Sequence, residues 1–378
     1  MNGVAGTPDA PNGAMAQDAG SVDASLAELG RDAAWRRAMV DVLRRNEREW
    51  AATGRDIRGE ITGPVCDALH HHAGTLRKVL TNGLAYDFLY RSRIARAVVL
   101  SPREHPDHIW EPQTTRLLRY LALESQHVLI GGAHDGDQAL LVAQALQQHG
   151  GICHAIEPNA EAVGLLEQNA TTNHFDNLHV YRRVLSHATG HPFQLTGGGS
   201  DGAAVAVDDS QTKPDQTIES IAIDDFVEAH GLDSLGLIML DIEGGEHDAL
   251  RGAEGQLKRS ADDSPNIIFE VHRDYVDWSN GLDQTPIVQM LAEYGYTCLA
   301  VRDVHSNMPM DGRPIELIPP KRVYLDGPPH GFNMVAVKDP SVLDGPMFRY
   351  CCDVSPKLIW HKDPALHHPL DGRPWSYG

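Results

Sequence analysis

The sequence is poor in positive charge, in cysteine and in long apolar runs, and each shortage removes a class of protein. Lys and Arg number 32 against 52 Asp and Glu, a formal net charge of −20. A surface of that sign repels phosphate backbones and anionic lipid, so neither a nucleic acid nor a membrane is the expected partner. No apolar run approaches the ~18 residues of a membrane span. The first basic residue is Arg31, so the opening stretch lacks the charged start of a signal peptide. The five cysteines, Cys66, Cys153, Cys298, Cys351 and Cys352, are odd in number and show no CxxC spacing. They read as reduced thiols of a cytoplasmic protein, without a disulfide framework or a zinc knuckle. No Gly-Lys-Ser/Thr is present, which removes the phosphate-cradling NTPases.

What is present suffices for a core: 378 residues, 42% apolar and 22% charged, describe one large folded domain or two. Residues 1–24 have little to bury and read as a disordered tail. Leu26, Leu29, Ala33, Met39, Val40 and Leu43 then recur at helical spacing, and further helices are expected near 64–80 and 84–97. Residues 25–110 thus read as a helical N-terminal subdomain, suited to substrate selection or to forming a homodimer through the apolar stretch Leu84–Tyr90. From about residue 111 the rhythm changes to alternating strands and helices. Strands are expected at 127–131, 152–156, 178–185, 237–241, 267–271, 297–301 and 331–337, with helices at 137–149, 160–169, 223–230, 246–259 and 286–294. Such alternation means βαβ crossovers, so residues 111–338 read as a doubly wound α/β domain, Rossmann-like in architecture. The Pro-rich segment 339–378 is expected to wrap the surface.

In such sheets ligands lie beyond the carboxyl ends of the strands. The first strand ends in Gly131-Gly132-Ala133-His134-Asp135-Gly136, whose glycines allow a sharp turn and close approach of a ligand to a helix N-terminus. The second ends in Ile156-Glu157-Pro158-Asn159. An acid there, roughly 20 residues after the glycine turn, is placed to accept the ribose hydroxyls of a nucleoside cofactor. Asn159 can also cap the next helix. The fourth strand delivers Asp241, with Glu243, Glu246 and His247 just beyond, and the fifth delivers Glu270 and His272 on one face. His272 or Asp241 can act as a base, with Glu243 beside them. Alternatively, Asp241, Glu243 and Glu270 form an oxygen-only set that suits a magnesium-like ion. The loop Tyr275–Trp278 offers aromatic faces for a flat acceptor or a sugar ring.

Gly132-Ala133-His134-Asp135-Gly136, Ile156-Glu157-Pro158-Asn159, Val184-Leu185-Ser186 and Leu240-Asp241-Ile242-Glu243-Gly244-Gly245-Glu246 together resemble the successive signatures of FkbM-type methyltransferases. The resemblance implies a class I, S-adenosylmethionine-dependent O-methyltransferase acting on a hydroxyl of a small molecule, such as a sugar or a natural-product intermediate. It further implies that Gly132, Ala133 and Gly136 face the methionine part of the cofactor, that Glu157 holds the ribose, and that Ser186 lies near the adenine. Glu111 and Asp241 would approach the cofactor too. Where the family carries an acid this chain has Ile130, with Asp135 inside the turn as its stand-in. Two other readings remain open at this point: a nicotinamide-dependent oxidoreductase and a non-catalytic nucleoside-cofactor-binding module. The spacing GxxxG, rather than GxGxxG, weighs against the first.

Overall fold

The computed structural model describes residues 19–50, 56–196, 204–207, 217–310, 312–325 and 331–358. Short runs of Val, Ile and Leu that cannot leave either side in water assemble into a nine-stranded sheet. Its strands, numbered in chain order, are β1 (His127–Gly131), β2 (Ile152–Ile156), β3 (Leu178–Tyr181), β4 (Leu237–Leu240), β5 (Asn266–His272), β6 (Thr297–Arg302), β7 (Ile315–Ile318), β8 (Gly331–Val337) and β9 (Phe348–Tyr350). The period of two divides them between two cores. Val128, Ile130, Met239, Ile268 and Val335 pack on one face, and Leu129, Ile238, Phe269 and Met334 on the other.

Across the sheet the order is β3-β2-β1-β4-β5-β8-β6-β7-β9. The strands from β3 to β5 are parallel, whereas β8 runs antiparallel to both β5 and β6. The dinucleotide fold has the all-parallel order 3-2-1-4-5-6. Here an antiparallel strand takes the place beside β5, and the Rossmann-like class I arrangement expected from the sequence is present. Chain direction across the sheet reverses between β1 and β4, where Gly131 is the register partner of Leu240. Ligands bind at such a switch point, and the residues that follow are Gly132 and Asp241.

Several expected elements differ. Residues 25–110 are not all helical: Thr75–Val79 and Ala85–Leu89 form an antiparallel hairpin where helices were expected. The stretch Leu84–Tyr90 offers no dimer surface in its middle, because Leu84, Tyr86 and Phe88 are buried in the same core as Leu140 and Val142. Asn169 clamps the hairpin to the sheet, accepting the Asp87 N–H at 2.8 Å and donating to the Asp87 and Asp135 carbonyls at 2.8 and 2.9 Å. The expected tail 1–24 is helical from Ala19, in Ala19–Leu29, and its residues 1–18 lie outside the described residues. The single strand expected at 178–185 breaks at Arg182-Arg183, and Val184–Leu185 pairs instead with Ile218–Ile221 in a separate small sheet. The helix expected at 246–259 splits into Glu246–Arg251 and Glu254–Leu257. Gly252 stands at that break because a Cβ there would lie 2.4 Å from the Ser186 carbonyl oxygen.

The segment after residue 338 does more than cover the surface. Phe348–Tyr350 extends the sheet as β9. Buried Arg302, paired with Glu316 at 2.8 Å, donates from Nε to the Ser355 carbonyl at 2.9 Å. That bond draws Ser355–Leu358 inward and buries Lys357. The expected surface segment beyond residue 358 lies outside the described residues.

Candidate active site

A cavity of about 590 Å³ opens over the carboxyl ends of β1, β2, β4 and β5, within the usual size range for small-molecule sites. The bend after β1 forms its floor. Gly132 adopts φ +77°, and a Cβ there would stand 1.8 Å from the Asp241 carbonyl oxygen. The neighbouring strand therefore leaves no room for a side chain at this position. The Gly132 and Ala133 N–H groups donate to the Ile156 carbonyl at 2.9 and 3.2 Å, tying the bend to the end of β2.

Glu157 joins the two. Its Oε2 accepts the His134 N–H at 2.9 Å and its Oε1 the Asn159 N–H at 2.8 Å. A carboxylate offers about four lone-pair sites, so these two bonds do not exhaust its capacity to accept, and Glu157 borders the cavity. Burial raises its pKa, against the opposing pull of those two N–H bonds. Asn159 also borders the cavity, but its side-chain oxygen caps the helix Ala160–Thr172 by accepting the Glu161 and Ala162 N–H groups. Ser186 borders it with Oγ donating to Asp248 at 2.7 Å, and Phe193 and Leu195 add an apolar wall that sequence reasoning missed.

Two expected cofactor residues face elsewhere. Asp135 and Gly136 do not line the cavity. The Asp135 carboxylate instead accepts the Tyr86 hydroxyl at 2.5 Å and meets His134 Nδ1 at 2.9 Å, so it anchors the hairpin. Gly136 makes room for Leu166, whose Cδ1 would lie 2.5 Å from an added Cβ. Asp137, unremarked in the sequence, does line the cavity; burial and Asp135 push its carboxyl up to about 7. Burial opposes charge on His134 as well, but Asp135 prevails and lifts that imidazole to about 9.

The remaining acids collect at the other end. Asp241, Glu243, Glu270 and Glu111 all line the cavity. Burial, then Glu270, Glu111, Glu243 and Glu246, raise the proton affinity of Asp241, and burial with Glu111 does the same for Glu270. Such a cluster favours a cationic ligand. The expected metal set is not borne out: among the described residues no three His, Cys, Asp or Glu side chains are arranged to hold an ion. Glu246 serves the loop itself, its Oε1 accepting the Ile242 and Gly244 N–H groups at 2.9 and 3.3 Å. Tyr275 covers Gly244 and hydrogen-bonds Glu243, while Trp278 packs on Phe332. Glu111 directs Oε2 to Asn333 Nδ2 at 2.7 Å and Oε1 to Nε2 of His305 at 2.8 Å, so both oxygens are engaged by protein. His305 itself borders the cavity and carries no motif that would single it out.

Because the folded Asp137 carboxyl binds its proton more tightly than the unfolded one, it contributes stability that is present at low pH and lost as pH rises toward about 7. Asp137→Asn removes that loss. The melting temperature of the variant relative to the native protein is expected to rise between about pH 4 and pH 7. A difference that stays flat across that range would show the carboxyl to be ordinary.

The strand order departs from the all-parallel dinucleotide fold, and the glycine bend and the strand-end carboxylate of Glu157 meet beside its switch point. Residues 131–298 match the Methyltransferase FkbM domain model. Among solved structures the chain is similar to a methyltransferase FkbM from Methylobacillus flagellatus KT. That match has 20% identity and a TM-score of 0.28, and covers 39% of this chain and 32% of that one. An O-methyltransferase from Bacillus cereus in complex with SAH matches at 14% identity over 62% and 84% of the two chains, TM-score 0.33. A SAM-dependent methyltransferase from Agrobacterium tumefaciens matches at 10% over 71% of each, TM-score 0.37. The chain thus spans about a third of the FkbM structure it matches. No curated protein matches it. No helix among the described residues is long and apolar enough to cross a membrane.

Proposed function

We propose that this protein transfers the methyl group of S-adenosylmethionine to a hydroxyl of a small molecule, a sugar or a natural-product intermediate. The observation that carries the reading is the Glu157 carboxylate, held against the Gly132 bend by the His134 N–H and bordering the cavity. A ribose diol supplies two donors for it. Phe193, Leu195 and Ser186 would flank the adenine, and Gly132, Ala133 and Asp137 the methionine end. Asp241, at the meeting of both ends, suits the sulfonium cation. Bound there, S-adenosylmethionine supplies a methyl carbon already activated toward attack. The protein's share of the work is then to align the acceptor oxygen and to remove its proton.

The acceptor would lie between Glu243, Glu270, His272 and Tyr275. Ser92 and Ile94 of the N-terminal segment also line the cavity, which supports a part for residues 25–110 in choosing the acceptor. The antiparallel β8 and the GxxxG spacing favour this reading over a nicotinamide oxidoreductase. Calorimetric titration is expected to show saturable heat with S-adenosylmethionine and with S-adenosylhomocysteine, and none with NAD. Methyl-labelled donor is expected to label members of a panel of sugar, polyketide and phenolic hydroxyls. Saturable NAD binding without adenosylmethionine binding would overturn the proposal.

A further inference from the structure

S-adenosylmethionine ends in an amino acid, whose ammonium and carboxylate sit on one carbon. The bend after β1 brings two side chains of opposite charge to the cavity. His134 and Asp137 both border it, together with Gly132 and Ala133. Asp135, between them in the chain, does not border it, and its carboxylate is engaged by the Tyr86 hydroxyl and by His134 Nδ1 at 2.9 Å. Burial disfavours charge on His134, but Asp135, Asp137 and Glu157 outweigh it, and the imidazole stays protonated up to about 9. An imidazolium carries N–H on both ring nitrogens, so its donors do not depend on a choice of tautomer. Nδ1–H faces Asp135, and among the described residues Nε2–H meets no acceptor.

The backbone is built to hold this arrangement. His134 adopts φ +46°, a left-handed conformation uncommon for a residue with a Cβ. It is fixed at two points, by its N–H to Glu157 Oε2 at 2.9 Å and by its ring to Asp135. Asp135 is anchored in turn, since Asn169 Nδ2 donates to its carbonyl at 2.9 Å. The imidazolium therefore stands beside the carboxylate assigned to the ribose, where the cofactor's chain leaves the sugar. Asp137 is buried and makes no ion pair among the described residues. Burial, Asp135 and Glu111 hold its proton affinity up, and His134 only partly offsets them. An ammonium at that carboxylate supplies the counter-charge.

We infer that His134 and Asp137 together bind the amino-acid end of the cofactor, Nε2–H of His134 taking the α-carboxylate and the Asp137 carboxylate taking the α-ammonium, an assignment that rests on the methyl-transfer reading above. The opposite pairing sets like charges together at both ends. Asp135 and Glu111 add negative potential at Asp137, so the ammonium is the group that belongs there. The pair also discriminates between nucleosides. A dinucleotide carries phosphates on the same 5′ carbon, and these would set negative charge against Asp137 with no ammonium to match it. His134 and Asp137 thus act on binding and on the choice of cofactor, and take no part in moving the acceptor's proton.

The test is calorimetric titration with three thioether nucleosides at about pH 8, where Asp137 is ionised and His134 is protonated. S-adenosylhomocysteine carries both charged groups, S-adenosyl-3-thiopropylamine lacks the carboxylate, and methylthioadenosine lacks both. The native protein is expected to bind each member of this series about tenfold or more weaker than the one before it. His134→Gln abolishes the first step and keeps the second. Asp137→Asn abolishes the second and keeps the first. Should His134→Gln melt too low to titrate, Asp135→Asn replaces it: without that carboxylate, burial leaves the imidazole neutral, and the first step is lost likewise. A step that persists in its variant overturns the assignment of that residue. Native protein that binds all three within about threefold of one another overturns the whole assignment and leaves the methyl-transfer reading standing. Native protein that binds neither these nucleosides nor S-adenosylmethionine overturns both together.

Discussion

Glu157→Ala is expected to weaken S-adenosylmethionine binding by roughly 100-fold or more, measured as Kd by calorimetry. Two of the carboxylate's acceptor positions are filled by the His134 and Asn159 N–H groups, and Glu157 borders the cavity. Even with those two donors its proton affinity stays above the ordinary glutamate value, because burial outweighs them. Burial thus disfavours the charged carboxylate, and further hydrogen-bond donors from a ligand would favour it. Two ribose hydroxyls supply them, each bond to a charged acceptor being worth about 1.5–3 kcal/mol. Alanine forfeits both and also releases the bend from β2. Glu157→Gln keeps an acceptor oxygen but turns N–H donors toward N–H donors, so it should fall between the two. The melting temperature separates binding from folding, since removing a poorly solvated buried charge should cost the fold little. If Glu157→Ala binds the cofactor within about threefold of the native protein, less than 1 kcal/mol, the carboxylate is only a tie between loops and the nucleoside reading of this cavity fails.

The central sheet was legible because its physics is local. Runs such as Val128-Leu129-Ile130 and Leu237-Ile238-Met239-Leu240 are apolar on both sides, and only a doubly covered strand buries both. The same applies to Glu157 and Asp241, which simply terminate such runs. The hairpin Thr75–Leu89 was misread as helix because Leu84–Tyr90 is a short apolar run, and periodicity cannot separate strand from helix at that length. A signal was nevertheless available. Asn82-Gly83 lies in the connection 80–84 between the two strands, and Gly83 adopts φ +84°, the left-handed position that closes a short hairpin loop. Asp135 looked like a ligand residue because it lies inside the bend; its partner, Tyr86, belongs to that misread hairpin. His305 was not legible at all. It follows β6 in an irregular stretch, and what gives it chemical meaning is Glu111, nearly two hundred residues earlier. Sequence patterns report periods and turns, whereas that contact is made by the closing of the sheet.

A single methyl group at position 132 should be far more damaging than one at another glycine of the same backbone conformation. Gly132 and Gly150 have φ values of +77° and +78°. An alanine at either meets the same left-handed strain, about 1–2 kcal/mol. Beyond that they differ: the space around Gly150 is open, while the Cβ at Gly132 would stand 1.8 Å from the carbonyl oxygen of Asp241. That oxygen is backbone and cannot rotate away. The Asp241 N–H donates to the Gly131 carbonyl at 3.1 Å, so relief requires prising apart the ends of β1 and β4, where Asp241 and the bend meet. Overpacking of this kind costs about 1–3 kcal/mol on top of the strain. Gly132→Ala is therefore expected to melt several degrees below Gly150→Ala and to bind no S-adenosylmethionine at concentrations that saturate the native protein. Gly150→Ala should bind it normally. The comparison also decides why the glycine is there. Should the two variants melt alike while only Gly132→Ala loses the cofactor, the residue serves the ligand's close approach; a paired loss of stability and binding means that the neighbouring strand excludes the side chain, and that the ligand occupies a bend shaped by β4.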